Sequence, residues 1–224
     1  LMTKCVQCQS HFHTPITITN FYKKEPRLCP SCAAQWKACK LDHTNRCPRC
    51  LKLLAEGEDE CLDCAFLAER FTLMHQLYCD YQYEGHVKAL IQQYKFMGDV
   101  ALSECFAQQL QLPREKYDYL VPIPSPYERD RERTFNPVCQ LLQQKEIYYH
   151  ELLTTKLRPK QSELSKIKRA HLANPFELKS EENLTDKSIL LIDDIYTTGM
   201  TVHHAGEILY DRNIRKSDVL TLAR

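Results

Sequence analysis

Twelve of the 224 residues are cysteine, and eight of these fall into four Cys-x-x-Cys pairs: Cys5/Cys8, Cys29/Cys32, Cys47/Cys50 and Cys61/Cys64. Two thiolates three positions apart turn inward from one tight loop and meet a single tetrahedral ion. Two such pairs complete a shell of four sulfurs at roughly 2.3 Å per bond. Disulfide frameworks belong to exported chains, and a redox Cys-x-x-Cys normally occurs once, beside a βαβ pattern, not four times in one segment. The spacing therefore predicts two structural zinc ions. Sequential grouping puts Cys5, Cys8, Cys29 and Cys32 on one ion and Cys47, Cys50, Cys61 and Cys64 on the other, as two stacked zinc ribbons. An interleaved cross-brace, with the first and third pairs sharing an ion, obeys the same chemistry. Four thiolates leave no open position for water, so neither ion is expected to be catalytic. Cys39, Cys79, Cys105 and Cys139 stand alone and are expected to be small buried hydrophobes.

The second chemical signal is Asp193-Asp194-Ile195-Tyr196-Thr197-Thr198-Gly199-Met200-Thr201. It follows the apolar run at 189–192 and precedes an amphipathic stretch. In open α/β sheets, ligands bind at such carboxyl ends of strands. Gly199 allows a tight turn with converging N–H groups. Thr197, Thr198 and Thr201 add hydroxyls, and the following helix points its positive end at the same spot. Two adjacent carboxylates are a poor match for phosphate and a good one for the hydroxyls of a ribose. The motif therefore asks for a sugar phosphate. Plain capping of the helix by Thr is the simpler alternative, but it does not require two Asp, three Thr and a Gly behind four apolar strand residues. A Walker loop is excluded because no Gly-Lys-Ser/Thr follows.

These residues need a frame. Hydrophobic residues make up 43% and charged residues 26%, a globular composition. The net charge of +1 argues against wholesale attraction to nucleic acid or anionic lipid and leaves room for a local basic patch. No stretch approaches the roughly 20 apolar residues that span a bilayer. The start, LMTKCVQCQS, has no apolar h-region, so no secretory signal is expected, and the many unpaired thiols favour the cytosol. The cysteine pairs stop near Phe66, which predicts a cysteine-rich double zinc-ribbon domain over 1–66 and a second domain over 67–224. Within the latter, 73–83 reads as a strand or hairpin arm, 86–96 and 100–112 as helices, and 119–124 as a strand stopped by prolines. A helix is expected over 134–144 with Pro137 in its first turn. A strand buried on both faces follows at 189–192, then a helix over 201–212 and a strand over 218–222. That order predicts an α/β domain with a mostly parallel sheet flanked by helices.

Residues 189–201 resemble the phosphoribosyl-pyrophosphate (PRPP) motif of type I phosphoribosyltransferases. The likeness to one branch extends over nearly the whole chain. The paired cysteines, Tyr83-x-Gly85, Lys95-Phe96-x-Gly98-Asp99, Val121-Pro122-Ile123-Pro124, Arg133-x-Phe135-Asn136, Gln161, Arg169, Asn174 and Phe176 together resemble the ComF family of competence proteins. The resemblance implies a phosphoribosyltransferase-like fold behind an N-terminal double zinc ribbon, and a part in taking up transforming DNA in natural transformation. It also implies a link to the helicase-like ATPase ComFA. Lys95 falls where the family places a pyrophosphate-side loop, although a solvated lysine at a helix end would read the same. The candidate ribose-phosphate set is thus Asp193, Asp194, Thr197, Thr198, Gly199, Met200 and Thr201 with Lys95. The chain departs from the family at Arg133-Thr134-Phe135-Asn136-Pro137, where Arg-Gly-Phe-Asn-Gln is usual. A working phosphoribosyltransferase uses Mg²⁺ to hold the departing pyrophosphate. No hood sequence specifies an acceptor base, so fold and turnover are separate questions.

A basic run completes the list. Lys156, Arg158, Lys160, Lys166, Lys168 and Arg169 stand against one acid, Glu163. Such a run can follow a phosphate backbone, with affinity falling as salt rises, and Tyr148, Tyr149 and Tyr127 are candidate platforms for stacked bases. A solvated loop or a loop that closes over PRPP would have the same composition. Three classes of function follow: an accessory protein of DNA uptake that grips single-stranded DNA, an active PRPP-dependent phosphoribosyltransferase of nucleotide metabolism, and an interaction scaffold with a vestigial pocket.

Overall fold

The structure, a computed structural model, describes residues 2–15, 22, 26–58, 61–97, 102–125, 136–156, 174–179 and 181–224. The cysteine-rich part uses little regular structure. β1 (Met2–Lys4) and β2 (His11–His13) pair antiparallel, and Cys5 and Cys8 lie in the turn between them. α1 (Pro30–Ala38) begins on Cys29, whose Sγ accepts a hydrogen bond from the Cys32 N–H at 3.5 Å. Pro30 suits the first turn, where its missing N–H costs nothing. α2 (Leu62–Ala68) likewise begins on Cys61, so the second pair of each set is a helix start, and its sulfurs sit at the positive end of the dipole. The predicted division at Phe66 falls inside α2.

The sheet beyond is parallel and four-stranded. Its spatial order is β3 (Leu77–Tyr78), β8 (Lys216–Ala223), β7 (Ser188–Ile195) and β4 (Tyr119–Pro122). Leu191 lies opposite both Val219 and Val121. Residues 188–192 of β7 are all buried, as a central strand covered on both faces requires. Its alternate residues divide the core in two. Leu190 and Ile192 pack with Val87, Ile91 and Tyr94 of α3 (Gly85–Met97), Phe106 of α4 (Leu102–Gln109) and Leu142 of α5 (Pro137–Gln144). Ile189 and Leu191 pack with Val202, Ala205 and Leu209 of α6 (Met200–Tyr210). Buried cysteines of the first set belong to the former half and those of the second set to the latter. A separate antiparallel pair, β5 (Leu153–Thr155) and β6 (Phe176–Leu178), brackets residues 157–173.

The expected α/β class and parallel sheet stand. The expected strand over 73–83 shrinks to Leu77–Tyr78, parallel to β8. The backbone of that segment is shared out: the Leu77 N–H donates to the Arg49 carbonyl at 2.8 Å, while the Gln76 carbonyl accepts from Val219 at 2.9 Å. Tyr81 makes isolated bridges to Lys40 and Ala223. The helix expected from 134 begins at Pro137, because Asn136 caps it by accepting from the Cys139 N–H at 3.0 Å. Of the lone cysteines, Cys39, Cys79 and Cys105 are buried and Cys139 is half-buried. Among the described residues no helix is long and apolar enough to cross a membrane.

Candidate functional site

In each cysteine set the four Sγ atoms lie within 4.8 Å of one another, and the sets are Cys5, Cys8, Cys29, Cys32 and Cys47, Cys50, Cys61, Cys64. The sequential grouping is the one the fold builds. A tetrahedral shell with bonds of roughly 2.3 Å separates its sulfurs by roughly 3.8 Å. The chain places Cys8 and Cys29 at 3.7 Å, Cys47 and Cys64 at 3.8 Å, and Cys50 and Cys61 at 3.5 Å. Both sets therefore fit a structural zinc ion. Among the described residues the first set carries a β-hairpin, and the second has a single bridge, Arg46 to Leu53. Both knuckles close on a left-handed residue directly after a cysteine, Gln9 at φ 63° and Leu51 at φ 58°. Glycine is the usual occupant of such a position.

At the carboxyl end of β7 the candidate ribose-phosphate residues converge. Lys95, from the last turn of α3, forms an ion pair with Asp194 Oδ2 at 2.6 Å. Asp193 Oδ1 accepts from the Asp194 N–H at 2.8 Å. Burial, and then the neighbouring Asp194 carboxylate, push Asp193 up to about 7. Thr197, Thr198 and Thr201 are exposed, Met200 is half-buried and Gly199 is buried. Gly199 takes φ 80° and occupies the N-cap position of α6, yet no side chain caps this helix. The Met200 N–H reaches Thr198 Oγ1 only at 3.5 Å. The helix thus starts without a side-chain cap at Gly199, and a helix start of this kind suits an anion. The space behind the carboxylates, lined by Tyr94, Leu110, Pro137 and Ile192, is only about 10 Å³, room for no more than a water. That space is too small for a sugar. A larger cavity of about 220 Å³ lies between β3, the end of α4 and Leu51, and no candidate ribose-phosphate residue lines it.

The Asp193 shift has a measurable consequence. A carboxyl whose folded value exceeds its ordinary one gives stability that is complete at low pH and is lost as pH rises through the folded value. Asp193→Asn cannot ionise. We expect it to raise Tm at pH 8 by roughly 4–8 °C, an effect of about 2 kcal/mol, with the advantage gone at pH 4. Thermal melts at the two pH values check this; equal melts at pH 8 would contradict it.

Sequence reasoning overlooked His203. Its Nε2 accepts from the Met74 N–H at 3.4 Å, so Nδ1 carries the proton and donates to the Gly199 carbonyl at 2.7 Å. The ring locks the hinge glycine to the segment after α2. Its position four residues after Gly199 was the only available signal. Burial lowers the His203 pKa, with Arg49 and His204 acting in the same sense against the Gly199 carbonyl. The stability supplied by the neutral ring is complete above about 6.5 and is lost as pH falls through the folded value. His203→Gln should therefore flatten the decline in Tm as pH falls below about 6.5; an unchanged slope would show that the ring does not titrate there.

Of the basic run only Lys156 is described; it is exposed, and its N–H donates to the Pro175 carbonyl at 2.9 Å. Arg158, Lys160, Lys166, Lys168 and Arg169, with Tyr127, Arg133, Phe135 and Gln161, lie outside the described residues. Tyr148 is 80% exposed, with its ring edge-on to His150 at 4.8 Å, whereas Tyr149 is half-buried and accepts from Gln143 at 2.9 Å. Asn174, beyond the run, is fastened to α6: its Nδ2 donates to the His204 carbonyl at 2.6 Å and to Glu207 at 2.7 Å.

No protein-family model matches the chain. Among characterised proteins it is 30% identical over 227 residues to competence protein ComFC of Streptococcus pneumoniae, covering 99% of this chain and 100% of that one. The chain belongs to the ComFC family. Competence protein ComFC of Bacillus subtilis is 28% identical over 218 residues, 93% of this chain and 89% of that one. Among solved structures, an allosteric regulatory enzyme of purine biosynthesis overlaps 55% of this chain at 13% identity and a TM-score of 0.35, the chain spanning 25% of it. A hypoxanthine phosphoribosyltransferase from Staphylococcus aureus overlaps 61% at 14% identity and a TM-score of 0.26, the chain spanning 63% of it.

Proposed function

We propose that this protein assists the uptake or processing of single-stranded transforming DNA, gripping a ribose phosphate in the loop at 193–201 while the basic run at 156–169 follows the backbone. The full-length kinship to ComFC supports the competence role. The observation that carries the ligand is the uncapped turn at Gly199 with Lys95 brought beside paired carboxylates. In this reading Asp193 and Asp194 accept hydrogen bonds from ribose hydroxyls. The Thr197, Thr198 and Thr201 hydroxyls, with the amides from Gly199 to Thr201, surround the 5′-phosphate. Lys95, released from Asp194, turns to a pyrophosphate or to the next phosphate of a strand. Zinc in both cysteine sets is structural and the protein works in the cytosol. A ComFA-like ATPase is its partner, and the ribbon and phosphoribosyltransferase-like parts divide the labour near Phe66. Among the described residues only the cysteine sets gather enough ligands for an ion. Mg²⁺ would therefore be held chiefly by pyrophosphate oxygens, where it neutralises leaving-group charge.

Lys95 beside Asp194 also favours a second reading, an active PRPP-dependent phosphoribosyltransferase. One set of measurements separates the two. Filter binding of a labelled single strand, weakened by Lys168→Ala with Arg169→Ala and showing a reduced salt slope, supports the first. Pyrophosphate release from PRPP with Mg²⁺, abolished by Asp193→Ala, supports the second. If the Asp193→Ala/Asp194→Ala protein binds PRPP and DNA as the wild type does, the loop is not the site.

A further inference from the structure

The phosphate loop does not rest on the sheet alone. Tyr196, between the carboxylates and the threonines, is 3% exposed and packs in the half-core that holds Cys47, Cys50 and Cys61. Its ring runs beneath Gly199: a Cβ at Gly199 would stand 2.8 Å from Tyr196 Cζ, and Leu67 Cδ1 lies 3.1 Å from the same point. Leu67 belongs to α2, the helix that starts on Cys61 and carries Cys64. From the other side Arg224 bridges cysteine knuckle and loop. Its Nε donates to the Cys50 carbonyl, its Nη2 lies 3.7 Å from Cys50 Sγ, and its guanidinium carbon stands 5.5 Å from the Tyr196 ring centroid. The Arg224 backbone is itself fixed, donating to Tyr81 at 3.0 Å and accepting from Tyr83 at 2.7 Å. Residues of the first cysteine set lie in the opposite half-core.

We infer that the second cysteine set, when it holds its metal, positions the phosphate loop, with Tyr196, Leu67 and Arg224 as the positioning residues. The inference rests on reading the loop as a ribose-phosphate site. A metal on the four sulfurs would tie the Cys50 knuckle to the start of α2. Tyr196 and Leu67 would then be held beneath Gly199, where they restrict the turn. Without the metal, four like-charged or protonated sulfurs no longer hold α2 against Cys50, and the turn loses its support. Coupling between two binding sites is reciprocal: whatever factor the metal adds to ribose-phosphate affinity, ribose phosphate adds to metal affinity.

The test uses the full-length zinc-loaded protein with ribose 5-phosphate as the probe. Zinc partition between the protein and a competing chromogenic chelator is measured at equilibrium with and without saturating probe, and Cys8→Ser and Cys64→Ser identify which transition belongs to which set. We expect zinc affinity of the second set to rise about tenfold with probe bound, a coupling in the usual range, and that of the first set to stay unchanged. Arg224→Gln should keep both zinc ions, bind the probe about tenfold more weakly and abolish the gain. If Cys64→Ser does not fold, Arg224→Gln carries the decision alone. Wild-type zinc affinity that ignores bound ribose 5-phosphate overturns the coupling and leaves the loop as a binding site. Zinc-loaded wild type that does not bind the probe overturns both. Arg224→Gln that binds and couples like the wild type removes Arg224 from the positioning set.

Discussion

Removing zinc with a strong chelator will shift the emission of Trp36 to the red and collapse the cysteine-rich part. Trp36 is the chain's single tryptophan, is 2% exposed, and lies on α1, directly behind Cys29 and Cys32. Its Nε1–H donates to Gln7 Oε1 at 2.8 Å, and Gln7 sits between Cys5 and Cys8. Its ring packs edge-on against Tyr81 at 4.9 Å and Phe106 at 5.8 Å. The residue thus reads both halves of the first set and its seat on the α/β core. α1 has nine residues, too few to hold a helix without tertiary support. Structural zinc contributes about 10–16 kcal/mol to such small folds, as much as the whole stability of an ordinary domain. Fluorescence during chelation, with recovery on adding zinc back, makes the measurement. Unmoved emission from protein proven free of metal would refute the assignment.

Gly199→Ala should abolish ribose-phosphate binding, lowering affinity more than a hundredfold. At φ 80° an alanine bears about 1–2 kcal/mol of backbone strain. Its Cβ would also collide with the Tyr196 hydroxyl and stand 2.8 Å from Cζ. A ring end in open space would swing aside cheaply, but Tyr196 is 3% exposed and cannot yield without disturbing the second cysteine set. Such overpacking costs typically 1–3 kcal/mol more. The steric part belongs to the pair, so Tyr196→Ala combined with Gly199→Ala should recover about 1–2 kcal/mol of stability in a double-mutant cycle. Isothermal titration with ribose 5-phosphate and denaturant melts report the two parts. Strict additivity of the two substitutions would show that ring and glycine do not touch.

Those parts of the molecule governed by local chemistry were readable in advance. Ile189, Leu190, Leu191 and Ile192 announce a doubly covered strand because all four are buried. The cysteine spacing picks out the eight residues that gather in two sets, because a knuckle is a property of four consecutive residues, while the sequential grouping needed the fold. The motif at 193–201 also fell as expected, at the junction of β7 and α6. What the sequence hid depends on distant partners. Nothing near Cys50 announces Arg224, which lies 174 positions away. Lys95 reads from the sequence as a pyrophosphate-side lysine or a solvated helix end, and its ion pair with Asp194 depends on how α3 packs. The segment at 73–83 misled because its alternation is real, yet its carbonyls and amides are divided between β8 and the cysteine-rich part, leaving a strand of two residues. His203 was passed over because a histidine inside an amphipathic helix shows no sign of a backbone lock.

The placement of β8 has a consequence for how the molecule is born. It occupies an interior position, between β3 and β7, yet it leaves the ribosome after every other element described. Until then β3 has no neighbour, and β7 is paired on one edge only. Both cysteine sets emerge far earlier and can capture metal while translation continues. The nascent chain would therefore carry finished metal knuckles ahead of an unfinished sheet. Supply of zinc during synthesis, and not only afterwards, would then govern the yield of protein that closes its sheet before its exposed strands find a wrong neighbour.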